Sequence, residues 1–282
     1  MGLRINNNAA AMTAYRSLSA SDSQMSKSLE KLSSGFRINR AADDAAGLVI
    51  SESLRGQVNG LKVATRNAQD AVSMVQTTEG ALTEVHSMLQ RMRDLAVQAS
   101  NGTNSAESIA AASAEAKQLT EQIDKIASNT QFNGIKLLNG TAGTAGAVTF
   151  QVGANADEEL GVTLKNMGTG TGGALTDVAV TNVTWTTAAE AEAAITKIDS
   201  AIKAVSTHRG DLGAVQNRLE HTINNLSVTS ENLAASESRI RDTDMAKEMT
   251  AFTKNQVLVQ AGTAMLAQAN SSSQNVLSLL RG

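Results

Sequence analysis

The chain has no cysteine and no proline, and aromatic residues make up 2% of its 282 positions, with one tryptophan and one tyrosine. Without cysteine there is no disulfide framework and no thiolate chemistry. Without proline, nothing removes a backbone donor from the interior of a helix. Few aromatics mean few large anchors for a thick core, which favours long, thin helical packing. The net charge of -3 leaves no basic footprint for nucleic acid. No run of about 18 apolar residues could span a membrane, so membrane insertion is not expected. The first ten residues, Met1 to Ala10, lack the apolar stretch of a secretory signal, so any export is expected to use another route.

What is present is heptad periodicity. From Ala11 to Phe36 apolar residues recur at steps of three and four through Tyr15, Leu18, Met25, Leu29 and Leu32. The stretch Ser33 to Asp44 breaks this seam. Gly35 suits a helix end there, and Asp43 or Asp44 is placed to cap the next start. A second seam runs through Leu54, Val58, Leu61, Ala68, Val72, Val75, Leu82, Leu89, Met92 and Ala96, with the polar Thr65, Glu79 and His86 also read as seam positions. A helix over 45–100 would be roughly 80 Å long. Past the turn-forming Asn101-Gly-Thr-Asn-Ser, the spacing of Ile109, Leu119, Ile123 and Ile126 predicts a further helix over 106–127.

Between Asn129 and Thr187 glycine, threonine and asparagine dominate. Alternation in Val148, Phe150, Val152 and in Leu160, Val162, Leu164 predicts short strands and hairpins. The Gly168–Gly173 run is expected to be a flexible loop tip. Helical spacing resumes through Ile195, Ile198, Ile202, Val205, Leu212, Leu219, Ile223, Leu226, Leu233 and Ile240, and the last segment, Met245 to Leu280, is amphipathic but rich in small and polar residues. The expected fold is mainly α: a long antiparallel, coiled-coil-like helical bundle formed by both chain ends, with a small β-hairpin-rich central part. Both terminal segments mix polar residues among apolar ones. They are expected to be disordered in the free monomer and to fold on association, because alone they bury too little to offset the entropy of ordering.

No constellation for catalysis emerges. Gly168, Gly170 and Gly173 fit G-x-G-x-x-G, but no strand-to-helix turn surrounds them, so nucleotide binding is not expected. His86, His208 and His221 are far apart in sequence and are read as solvated helix positions rather than metal ligands. Asp242-Thr-Asp lacks the glycine and closing glutamate of a calcium loop and reads as a helix cap or charged turn. Serine is abundant without a G-x-S-x-G elbow. Catalytic, metal and cofactor-binding residues are therefore none.

Three stretches together resemble bacterial flagellin. They are Leu3-Arg-Ile-Asn-Asn-Asn with Leu32-Ser-Ser-Gly-Phe-Arg-Ile-Asn-Arg-Ala-Ala-Asp-Asp-Ala-Ala-Gly-Leu, then Gln90-Arg-Met-Arg-Asp-Leu-Ala-Val-Gln, and finally Gln260-Ala-Gly-Thr-Ala-Met-Leu-Ala-Gln-Ala-Asn with Gln274-Asn-Val-Leu-Ser-Leu-Leu-Arg. The resemblance covers roughly 1–140 and 190–282, and the middle takes no part. It implies a non-enzymatic structural subunit of a secreted, extracellular motility filament, compact in type because the variable part is short. The implied divisions are 1–44, an inner-tube helix and connecting spoke; 45–128 and 190–240, the long-helix layer; 129–189, a β-rich outer region; and 241–282, the second inner-tube helix. No H-E-x-x-H stands in the middle, so the metallopeptidase that some relatives carry there is not expected.

The resemblance also implies partners. Leu18, Met25, Leu29, Leu32, Leu54, Val58, Leu61, Leu226, Leu233, Val259 and Leu266 form the expected polymerisation seam with other copies. Identical subunits joined head to tail without closure give an open helical filament. Gln90–Val97 is similar to the segment that Toll-like receptor 5 recognises, with Arg91, Leu95 and Glu115 as candidate contacts and Asp94 where stimulatory members commonly have glutamate. Val276, Leu277, Leu279 and Leu280 resemble the helix that a flagellin-specific chaperone covers before passage through the flagellar export apparatus. Filament cap and hook-filament junction proteins complete the implied partners. A hook-filament junction protein is itself the alternative identity.

Overall fold

The computed structural model describes residues 8–143, 146–170, 172–179 and 183–279, with side chains in the last helix as far as Ser272. The chain is mainly helical. Among the described residues five α-helices, α1 (Ala9–Ser34), α2 (Ala45–Ala99), α3 (Ala106–Asn129), α4 (Ala188–Arg241) and α5 (Met245–Leu279), flank two small hairpins. The hairpins are β1 (Gln131–Phe132) with β2 (Ile135–Lys136), and β3 (Ala147–Gln151) with β4 (Glu159–Thr163). Two compact units result: an end unit of Met1–Gly56 and Asn232–Gly282, and a middle unit of Gln57–Glu231.

In the middle unit α2 buries two strict heptad rows. One is Leu61, Ala68, Val75, Leu82, Leu89 and Ala96, and the other is Ala64, Ala71, Thr78, Val85, Met92 and Ala99. The second row corrects the expected seam. Thr65, Glu79 and His86 lie one position outside it, where they are only half-buried and Glu79 can pair with Arg209 at 3.6 Å. Thr78 is the polar member of the buried row, and its hydroxyl donates to the Met74 carbonyl at 2.9 Å, so no donor is stranded. On α4 the matching row is Ala191, Ile198, Val205, Leu212, Leu219 and Leu226. Antiparallel packing of α2 and α4 is marked by Arg93–Asp199 at 2.7 Å and Arg209–Glu79. Helix α3 folds back on α2, with Ile109, Ala116 and Ile123 in the same core.

The β-rich part closes this core. Val148 faces Val162 and Phe150 faces Leu160 across β3 and β4, in the expected alternation. Asn133 and Gly134, at φ 49 and 80, turn β1 into β2, the left-handed pair that a two-residue hairpin loop requires. The return to α4 places Trp185 fully inside the core. Its backbone N–H donates to the Ser113 hydroxyl at 2.9 Å, and that hydroxyl donates to the Val183 carbonyl at 3.3 Å.

In the end unit Gly35 ends α1 in the left-handed region at φ 76, and its N–H reaches the Lys31 carbonyl. Both expected acids act, in different ways. Asp44 caps α2 by accepting from the Gly47 N–H at 2.9 Å, while Asp43 accepts from the Asn39 and Arg40 N–H groups. Those backbone donors, Arg40 first, hold the Asp43 carboxyl below its ordinary range. Asp244 caps α5 through the Ala246 and Lys247 N–H groups. Between helices, Arg37 N–H donates to the Arg241 carbonyl and Thr243 N–H to the Gly35 carbonyl, a short antiparallel bridge. The Arg241 guanidinium sits 4.7 Å from the Phe36 ring centre and pairs with Glu52 at 2.5 Å. Among the described residues no helix is long and apolar enough to cross a membrane.

Candidate functional site

The paired ends of the chain are the first candidate surface. Helices α1 and α5 run antiparallel and bring Cα atoms within 8 Å of one another. Small residues recur along the contact. The inward row on α1 alternates small and large: Ala14, Leu18, Ser21, Met25, Ser28, Leu32. On α5 it is Phe252, Asn255, Val259, Gly262, Leu266, Ala269. A side chain begun at Gly262 would meet Leu18 Cδ1 at 3.2 Å and Leu18 Cα at 3.8 Å, which fixes the register. At the far end Asn8 caps α1 through the Ala11 N–H and donates its amide to the Ala269 carbonyl at 2.9 Å.

This geometry sorts the expected seam. Leu18, Met25, Leu32, Val259 and Leu266 lie half-buried on the inner face of the pair. Leu29 does not: it is 58% exposed, as is Tyr15 at 63%, because the contact follows the small residues one position away. Leu54 and Leu233 are half-buried in the end unit. Val58, Leu61 and Leu226 belong to the middle unit and are buried in the single subunit.

Sequence periodicity missed the outward apolar residues. Met12, Val257, Leu258 and Met265 are exposed on the α1/α5 pair. Two grooves flank the pair: one of about 630 Å³ floored by Ala14 and Gly262 and edged by Leu258 and Met265, the other of about 390 Å³ edged by Met12, Tyr15 and Leu266. Positions adjacent to the inner heptad rows were the available signal. Leu3–Asn7 and Leu280 lie outside the described residues, as do the side chains of Val276, Leu277 and Leu279.

The second candidate surface is on the middle unit. Arg91 on α2 and Glu115 on α3 are joined by an exposed ion pair at 2.8 Å, and the Glu115 hydrogen bond and charge push the Arg91 guanidinium pKa up. Leu95 corrects the expectation of a surface contact. It is 3% exposed and packs in the core beneath this face. Four residues on from Arg91, Leu95 is turned only about 40° around the helix, but that turn carries it toward the buried Met92 and Ala99 at the edge of the core face.

No chemical centre accompanies these surfaces among the described residues. No group of three His, Asp or Glu side chains is arranged to hold a metal ion. His208, expected in solvent, is fully buried, with Nε2 accepting from the Lys165 N–H at 3.5 Å. Burial, with the Lys165 charge, lowers its pKa. The glycine run is tethered at Thr169. The Thr169 N–H and hydroxyl donate to the Asp124 carboxylate at 2.8 and 2.7 Å, so the backbone donor that a phosphate would need already faces an anion.

Residues 5–143 match the bacterial flagellin N-terminal helical region and residues 195–280 the bacterial flagellin C-terminal helical region. The chain is 50% identical to the flagellin of Bacillus subtilis strain 168 over 99% of its length and 100% of that protein. It is 54% identical to the flagellin of Halalkalibacterium halodurans, covering 98% and 99% of the two chains. A solved structure from Vibrio parahaemolyticus, described as flagellar hook-associated, shares 16% identity and a TM-score of 0.60, covering 71% of this chain and all of that one, which is a likeness of fold alone. Full-length identity to flagellins therefore outweighs the junction-protein alternative. With long helices at both ends of the chain and both family regions in their expected places, the chain belongs to the bacterial flagellins, the structural, non-enzymatic subunits of the extracellular flagellar filament.

Proposed function

We propose that the α1/α5 pair is the polymerising element, and that other copies of the chain seat on its outward apolar residues. In this reading 1–44 and 241–282 form the inner layer, 45–128 and 190–240 the next, and 129–189 the outer face. The observation that supports it is the row of exposed Val257, Leu258 and Met265 beside grooves of small residues, apolar surface that the subunit leaves uncovered. Burial of such surface is worth about 25 cal/mol per Å², and repetition along an open helical polymer multiplies it. Seeded elongation tests it: Leu258→Asp should stop growth from filament seeds while the thermal unfolding of the middle unit stays unchanged. Growth at the rate of the unsubstituted chain would overturn the assignment.

A second reading rests on Arg91 and Glu115. Toll-like receptor 5 would use this exposed charged pair, with Leu95 supporting the face from below rather than touching the receptor. Arg91→Ala should then weaken receptor binding by about tenfold or more, the loss expected when a charged hydrogen-bonding contact is removed from an interface. Equal binding by the two proteins argues against it. Before assembly, the segment containing Val276, Leu277, Leu279 and Leu280 is the proposed site of a flagellin-specific chaperone, a helix in a groove handed on to the export apparatus. Filament cap and hook-filament junction proteins would then contact the same end helices.

A further inference from the structure

The ten methionines are the chain's entire sulfur, because cysteine is absent, so oxidation by a peroxide has no thiol to reach first. The two units differ in the thioethers they expose, with Met88 of the middle unit and Met25 of the end unit both half-buried. In the middle unit Met74, Met92 and Met167 are at most 1% exposed. In the end unit Met12, Met245, Met249 and Met265 are 59%, 48%, 51% and 64% exposed. Met12 edges the smaller groove beside α1/α5, and Met265 edges the larger. Met245 and Met249, four residues apart, share one face of α5.

We propose that these four methionines form an oxidation-sensitive set, and that their conversion to sulfoxides in the free subunit blocks its assembly. The inference rests on the reading of the end unit as the polymerising element. At each site a sulfur lone pair attacks one oxygen of hydrogen peroxide. The S–O bond forms as the O–O bond breaks, sulfur loses two electrons, and the departing oxygen takes up a proton to leave as water. A flexible apolar side chain thereby becomes polar. Burial against the apolar walls of a subunit contact would then strip water from the sulfoxide oxygen, a cost the thioether does not carry. Assembly itself covers the same sulfurs. The oxidation state of the subunit at the moment of assembly decides whether it can join, and a filament already formed is protected.

Mild hydrogen peroxide treatment of the full-length chain, followed by peptide mass spectrometry and seeded elongation, tests this. Met12, Met245, Met249 and Met265 should oxidise at least about tenfold faster than Met74, Met92 and Met167. Elongation should fall in parallel, and methionine sulfoxide reductases A and B supplied with a thiol should restore it. Compared with its own untreated rate, whatever that rate is, M12L/M245L/M249L/M265L should lose no elongation to peroxide, and preformed filaments should oxidise slowly at the four sites. Equal oxidation rates in the two units, undiminished elongation by oxidised subunits, or a leucine variant as sensitive as the parent would overturn the proposal. Should the leucine variant not elongate untreated, reductase rescue of the parent chain decides, and absence of rescue overturns the proposal. An untreated parent chain that fails to elongate seeds would instead refute the polymerisation reading itself.

Discussion

Two buried polar residues of the middle unit carry testable consequences. Ser113 serves both the Trp185 N–H and the Val183 carbonyl in a site closed to water. Ser113→Ala leaves two buried backbone groups unpaired and should cost roughly 1–3 kcal/mol, read as a lower unfolding midpoint by fluorescence of the single tryptophan. His208 occupies a seam position on α4, in the row of Ala194 and Ala201. Burial first, then Lys165, lowers its pKa, with Asp211 opposing. The unfolded chain therefore takes up the proton more readily. Stability is full above the ordinary histidine value of about 6.5 and declines as pH falls below it toward the folded value. Urea unfolding at pH 7.5 and pH 5.5 should show this loss, and His208→Leu should reduce the difference between the two. Counting back by sevens from His208 to Ala201 and Ala194 would have revealed its burial. Judging the three histidines only by their distance from one another in sequence concealed it.

At the scale of helices and hairpins most of the architecture was legible, because seven-residue repeats sustained over dozens of positions leave little alternative to paired long helices. The β3/β4 alternation was equally plain. What could not be read was phase. On α1 the bulky Tyr15 and Leu29 drew the seam toward themselves, yet the contact follows Ala14, Leu18, Ser21, Met25, Ser28 and Leu32, with Ala14 and Ser28 one position away from them. On α2 the same one-residue error placed Thr65, Glu79 and His86 inside the seam. Leu95 escaped because it stands only about 40° around the helix from the exposed Arg91, just inside the edge of the buried face. The Leu18–Gly262 contact tests the close-approach argument. Gly262→Ala adds a methyl 3.2 Å from the mobile Cδ1 of Leu18 while gaining helix propensity, so its net effect should be small. Gly262→Leu must push the helices apart. It should abolish seeded elongation, leaving the circular dichroism melt of the middle unit in place.

Across the whole molecule the two units differ in how much they bury. The middle unit closes a continuous core from Met74 to Leu212, including Trp185 and the β4 residue Val162. In the end unit α1 fully buries Ser28 alone, and the inner row of α5 is half-buried throughout its described side chains. Ordering a residue costs about 1–2 kcal/mol of backbone entropy, and half-covered side chains on a helix pair return little of it. Local stability follows burial, so the units should open independently. In the free subunit, amide hydrogens of α1 and α5 should exchange within the first seconds, whereas those of 82–96 on α2 and 198–212 on α4 should persist for hours. Seeding the same protein into filaments should extend protection to α1 and α5, because neighbouring copies would then cover Met12, Leu258 and Met265. Slow exchange of the end helices in the free chain would show that the pair is stable by itself, and the source of assembly energy would have to be sought in the outward faces alone rather than in folding coupled to association.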